Sequence, residues 1–186
     1  MSNTQASVMD DNTLVIECVK CNPKAQRLLF DKFAPKMLTV CLRYAKDSAD
    51  AEDVLQEGFV KVFSKLTDFK MEGSLEGWIR RIMVNTSLDA IRKNKKYLTD
   101  AKLEDVEYKI ISSESTSDQL QADDLMKMVQ ALPEGYKVVF NLFAIEGYSH
   151  KEIADLLGVS ENTSKSQYSR ARAHLRMKLE KLEIER

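Results

Sequence analysis

The chain has 186 residues, with 28 lysines and arginines against 29 acids and a formal charge of -1 at neutral pH. That length holds one ordinary domain or two small ones, each with a core barely sufficient alone. Cys18, Cys21 and Cys41 are an odd set unsuited to a disulfide framework. No stretch approaches the roughly 18 apolar residues of a membrane span, and MSNTQASVMD, residues 1 to 10, has neither the basic start nor the apolar run of a secretory signal. A soluble cytoplasmic protein with no direct membrane insertion is expected.

Six glycines and three prolines punctuate the sequence, and apolar residues recur mostly at helical spacing, so the expected fold class is all-α. After an N-terminal tail of residues 1 to 9, Leu14 to Val19 and Ala25 to Tyr44 carry two helical patterns. Pro23 is placed to start the second, and Pro35 is expected to interrupt or kink it. Cys18 and Cys21 make a CxxC, but no second pair follows and His150 and His174 lie far along the chain. The pair reads as two small semi-buried residues one turn apart, and no metal site is expected.

From Val54 onward, Leu55, Phe59, Val62, Phe63 and Leu66 form a wide apolar stripe, opposite a face of Asp53, Gln56, Glu57, Lys61 and Ser64. Trp78 to Arg92 makes a further helix, and Asn94 to Tyr97 closes a first helical domain spanning residues 10 to 97. Within GWIRRIMVNTSLDAIRKNKK, a helix places Ile79, Met83, Thr86 and Ala90 on one face and Arg81, Asn85 and Arg92 on the other. Leu88 falls among the polar residues, which suits partial burial or contact with a base or sugar. The preceding loop, Lys70, Met71, Glu72, Gly73 and Ser74, follows Phe69. A flexible loop beside aromatic and basic groups suits an unstacked base, because ring stacking tolerates any sequence while hydrogen bonds read the edge. The plainer alternative is an interhelix connection with Trp78 in the core.

The composition then changes. Residues 98 to 124 read as an acidic linker, with eight acids and two lysines in residues 99 to 124, a net of -6, and a Ser/Thr-rich middle. Residues 78 to 97 carry a net of +5 and residues 160 to 178 a net of +4. The near-zero total therefore averages two basic segments and one acidic strap. Phosphate is neutralised at the contact surface, so such local patches matter whatever the distant charges do.

Helical periodicity returns in a second domain, residues 125 to 186. Ser149 and Glu152 have the spacing of a capping box. Ile153, Leu156 and Leu157 supply an inward face, Ala154 leaves room for a crossing helix, Gly158 can take the left-handed conformation that ends a helix, Val159 plugs the corner, and Ser160 can cap the next helix. This is a helix-turn-helix pattern whose recognition helix runs from Glu161 to Leu175 or beyond. Lys165, Ser166, Ser169 and Arg170 are candidates for groove contacts, with Arg172 and Arg176 better suited to phosphates. An ordinary helical hairpin with a solvated basic face is the alternative.

The two halves, in this order, resemble the extracytoplasmic-function (ECF) class of the sigma-70 family of bacterial transcription initiation factors. DAEDVLQEGFVKVF resembles the helix by which sigma domain 2 grips core RNA polymerase, and WIRRIMVNTSLDAIRK the promoter-reading helix of that domain. ALPEGYKVVFNLFAIEGYSHKEIADLLGVS followed by TSKSQYSRAR resembles sigma domain 4. The resemblance implies that Asp53, Gln56, Glu57 and Val60 lie against polymerase. It implies that residues 70 to 74 with Arg81, Asn85 and Arg92 receive a flipped base of the minus-10 element, and that the recognition helix reads the minus-35 element. It also implies promoter DNA as a partner, makes a membrane-anchored anti-sigma factor plausible, and has the acidic connector thread the polymerase channels. Two positions depart from the family pattern: Ser164 stands where an apolar residue is usual, and Gln167 where Arg is frequent.

No nucleophile and base pair, phosphate loop or grouped metal site is evident, so neither catalysis nor a cofactor is expected. The rival functions are a helix-turn-helix regulator acting without polymerase, and an enzyme using Cys18 and Cys21 as a redox pair.

Overall fold

The computed structural model describes residues 9–93 and 122–184. Among these the regular elements are all helical: α1 (Asp11–Val19), α2 (Pro23–Leu42), α3 (Ser48–Lys65) with a 3-10 turn at Leu66–Asp68, α4 (Leu75–Lys93), α5 (Ala122–Gln130), α6 (Glu134–Phe140) leading into a π turn at Asn141–Ile145, α7 (His150–Leu157) and α8 (Glu161–Ile184). The chain divides into two compact units, Met1–Ile91 and Arg92–Arg186. The expected linker lies largely outside the described residues, and α5 takes in its last three, 122 to 124.

Side-chain caps start the helices of the first unit. The Asp10 carboxylate accepts from the Thr13 amide, the Asn22 side chain from the Lys24 and Ala25 amides, and Asp47 from the Asp50 amide, each supplying an acceptor to an otherwise orphan donor. Pro23 occupies the first turn of α2, where a missing N–H costs nothing. Of the two expected outcomes at Pro35, interruption does not occur. α2 continues through it to Leu42, with Leu29, Phe33, Ala34, Met37, Val40 and Cys41 buried along its length. Burial on both sides of the proline offsets one lost hydrogen bond and the ring's crowding of the carbonyl four residues back.

α2 packs against both α1 and α3. α3 meets α4 at Gly58, where a Cβ would stand 2.3 Å from Met83 Sδ. The glycine is there for space, and the methionine thioether fills it. Leu88 is fully buried, beside the buried Met83, Val84, Thr86 and Ser87. That corrects the expectation of partial exposure: the buried arc of α4 is wide enough to include it. Thr86 and Ser87 satisfy their hydroxyls by donating to the Ile82 and Met83 carbonyls.

Cys18 is buried in α1, whereas Cys21 is exposed with a left-handed backbone (φ 59°) in the turn to α2. Burial is the first cause that pushes the Cys18 thiol up to about 11, with the Glu17 charge adding to it. That is the reverse of a redox-active thiol, which needs a lowered value.

In the second unit, Val129 of α5 and Ala171 of α8 meet Leu132, with Tyr136, Phe140 and Leu175 packed around them. Lys137 is buried and paired at 3.1 Å with Glu134 one turn earlier. The π turn at Asn141–Ile145 ends with the Glu146 amide bonded to the Asn141 carbonyl and the Tyr148 amide to the Leu142 carbonyl. It faces the chain toward α7.

Candidate nucleic-acid interface

The turn between α7 and α8 is built as its local chemistry requires. The Ser149 hydroxyl oxygen accepts from the Glu152 amide at 3.3 Å, and the Glu152 carboxylate accepts from the Ser149 amide at 2.8 Å, a complete capping box. Gly158 ends α7 at φ 68°, ψ 34°, its amide and that of Val159 both returning to the Ala154 carbonyl. The Ser160 hydroxyl then accepts from the Thr163 amide at 3.0 Å and starts α8. Ile153 and Ala154 are buried, while Leu156, Leu157 and Val159 are half-buried.

α8 turns Ser164 and Ala171 inward, both with no exposed surface, and half-buries Gln167 and Tyr168 between them. Lys165, Ser166, Ser169, Arg170, Arg172 and Arg176 are exposed. Two of these carry local partners: Lys165 pairs with Glu161 at 2.7 Å, and the Ser166 hydroxyl donates to the Thr163 carbonyl at 2.9 Å. The Lys165 hydrogen bond and charge hold the Glu161 carboxyl below its ordinary range. Arg172 lies 5.9 Å over the Tyr168 ring, so its guanidinium is already guided by a cation–π contact. Gln167 packs on Gly135, where a Cβ would come within 3.2 Å of its amide nitrogen.

In the first unit, the loop from Lys70 to Ser74 has two residues with left-handed backbone, Met71 at φ 60° and Gly73 at φ 84°. Met71 keeps 38% of its surface exposed, and Lys70, Glu72 and Gly73 are exposed beside it. A large apolar side chain on a strained, solvent-facing turn is unusual in a mere connector. Ser74 also has a structural task, since its hydroxyl accepts from the Gly77 amide at the start of α4. Behind the loop, Phe69 is buried against the half-buried Trp78, their ring centroids 5.5 Å apart. Arg81 and Asn85 are exposed one turn apart on α4, and Arg92 is half-buried in its last turn.

On α3, Asp53, Gln56 and Val60 are exposed, Val60 by 69%. Glu57 is half-buried and bound to Lys61 at 3.0 Å, while Lys61 reaches Asp89 of α4 at 3.4 Å. Glu57 therefore belongs partly to the tie between two helices. Burial opposes the charge on Lys61, but the Glu57 hydrogen bond and the attraction of both carboxylates outweigh it and raise its pKa above the ordinary lysine value.

Residues 29–97 match Sigma-70 region 2, and residues 122–175 match Sigma-70, region 4. RNA polymerase sigma factor SigV of Bacillus subtilis (strain 168) is 30% identical over 141 residues, covering 76% of this chain and 82% of SigV. The chain belongs to the ECF class of the sigma-70 family. ECF RNA polymerase sigma factor SigE of Mycolicibacterium smegmatis is 31% identical over 153 residues, which cover 80% of this sigma factor but 59% of SigE. Sigma factor RpoE of Bartonella quintana, solved in complex with the anti-sigma factor NepR, shares the fold at a TM-score of 0.52 and 22% identity, covering 83% of this chain and 96% of that one. Among the described residues no helix is long and apolar enough to cross a membrane.

Three residues that set the packing behind the candidate residues carry no signal of it by themselves in the sequence: His150 and Phe143 behind α8, and Gly58 behind α4. His150 Nδ1 lies 2.9 Å from Ser164 Oγ, and its ring stacks on Phe143 at 4.3 Å. The available signal was Ser164 itself, a polar residue at a position facing inward.

Proposed function

We propose that this sigma factor binds core RNA polymerase, directs it to specific promoters and assists their melting. The observation that carries this reading is the succession of region 2 and region 4 matches in one chain, the second of them containing a fully capped helix-turn-helix. In this reading Asp53, Gln56, Glu57 and Val60 meet polymerase. The loop from Lys70 to Ser74, with Arg81, Asn85 and Arg92, takes the minus-10 element of the non-template strand. Lys165, Ser166, Ser169 and Arg170 face minus-35 bases, with Arg172 and Arg176 on phosphates. The factor itself makes and breaks no covalent bond and works in the cytoplasm, its domains running from residues 10 to 97 and 125 to 186 on either side of an acidic linker. An anti-sigma factor, of the kind bound to the Bartonella sigma factor, is a further partner in this reading. A regulator acting without polymerase is disfavoured, since residues 29–97, the half that would have to sense a signal or dimerise, match Sigma-70 region 2.

Run-off transcription by purified core polymerase on a genomic promoter library tests this directly. Discrete transcripts that require the chain are expected; their absence, with no affinity for core enzyme, overturns the reading. Within it, Asn85→Ala should leave polymerase binding intact and impair opening of the minus-10 region, followed by permanganate reactivity of unpaired thymines. Normal opening would remove Asn85 from the site.

A further inference from the structure

A serine buried in the first turn of a recognition helix is costly unless its hydroxyl is bonded, because an orphan polar group in a dry interior forfeits its water without replacement. Ser164 has no exposed surface, and its hydroxyl meets the Nδ1 atom of His150 at 2.9 Å. That imidazole is itself held on several sides. Phe143, from the π turn, lies almost parallel to it at 4.3 Å and 12°, and Tyr168, one turn beyond Ser164 on α8, approaches at 5.9 Å. Phe143 and Tyr168 also touch each other, with centroids 4.5 Å apart. Two elements thus converge on one ring at the first residue of α7: the π turn supplies the floor, and α8 supplies a hydrogen-bond partner and an aromatic wall.

The consequence for reading DNA follows from helix geometry. Ser164 and Tyr168 form the inner stripe of α8, and Lys165, Ser166, Ser169 and Arg170 are their immediate neighbours on the outer surface. At about 100° per residue, a modest roll of the helix carries each outward side chain off its base edge. Apolar packing alone tolerates some roll, whereas a hydrogen bond constrains direction. Resting on the sigma reading above, we infer that His150 is a positioning residue for minus-35 recognition: through Ser164 and Tyr168 it fixes the rotational setting of α8. His150 touches no base in this role.

The test uses full-length chain with core polymerase and a promoter fragment selected from a genomic library by the wild-type holoenzyme. The readout is the ratio of affinities for that fragment with its minus-35 segment intact and scrambled. His150→Phe keeps a ring on Phe143 but strands the Ser164 hydroxyl, and should lower the ratio about tenfold, the scale of one buried hydroxyl left unpaired. His150→Phe combined with Ser164→Val removes both polar partners and should recover most of the ratio. His150→Asn, which places a polar atom near the Nδ1 position without the stack, should fall between. An unchanged ratio for His150→Phe overturns the inference, as does a double variant no better than the single one. So does a loss matched by an equal loss of helical circular dichroism at the assay temperature, which would mean simple unfolding. Failure of the wild type to form a polymerase complex would instead sink the sigma reading, so the two failures are distinguishable.

Discussion

On α4, Arg81 and Asn85 are exposed on one side of a helix whose other side seals Ile79, Met83, Val84 and Leu88 from solvent, whereas α8 buries Ser164 and Ala171 and leaves Tyr168 and Leu175 only half covered. The first helix is held by apolar volume and by one close crossing at Gly58. The second is held by small contacts, a hydrogen bond to His150 and stacked rings. Faults in the first unit should therefore register as lost stability, and faults in the second as misdirected side chains on a helix that still folds.

The sharpest way to break that contrast is Met83→Ala. Truncating a fully buried methionine should cost about 2–5 kcal/mol, read as a shift of the denaturation midpoint of the first unit. Gly58→Ala alone should cost about 1–3 kcal/mol by overpacking against the same thioether, and distinctly less once Met83 is shortened. Additive costs would mean that the two residues do not share one space.

Arg170→Ala tests the second unit. Folding should hold, and use of the minus-35 sequence should fall by about 1–3 kcal/mol if the guanidinium makes a good base contact. An unaltered promoter preference removes Arg170 from the reading set. Ser149→Ala should cost about 0.5–2 kcal/mol of stability through the lost cap, measured by thermal melting, and should weaken minus-35 binding only in proportion to that loss.

The smallest expected effect is Asp89→Asn in the Lys61 tie. Both partners are substantially exposed, at 32% and 44%, so about 0.2–1 kcal/mol is expected, shrinking as salt is added. Because the folded pKa of Lys61 is raised, its stabilising share is complete below the ordinary lysine value and disappears as the pH climbs through the raised one. A titration of stability across that alkaline range should be flatter in the Lys61→Met variant.

How much was legible in the sequence follows from the distance over which each signal acts. Ser149, Glu152, Gly158 and Ser160 were read correctly because a cap joins residues three or four apart, and spacing alone exposes it. The full burial of Leu88 and the continuity of α2 through Pro35 are not visible in spacing, because the width of a buried arc and the burial that offsets a proline are set by neighbouring helices. Gly58 belongs to the same class, since its role is visible only from Met83. For the candidate site, the exposed arginines and the loop with Met71 and Gly73 were visible as composition. The bond between His150 and Ser164, fourteen positions apart, depends on the turn between two helices, and only the odd polarity of Ser164 hinted at it.

The uneven cysteines have a practical sequel. Cys18 and Cys41 are shut inside helices, and burial pushes both thiols up to about 11, so almost no reactive thiolate exists there at neutral pH. Cys21 alone among them stands at the surface, on the turn joining α1 to α2. A maleimide fluorophore should therefore attach at a single position of the unaltered chain, giving a ready optical reporter of holoenzyme assembly.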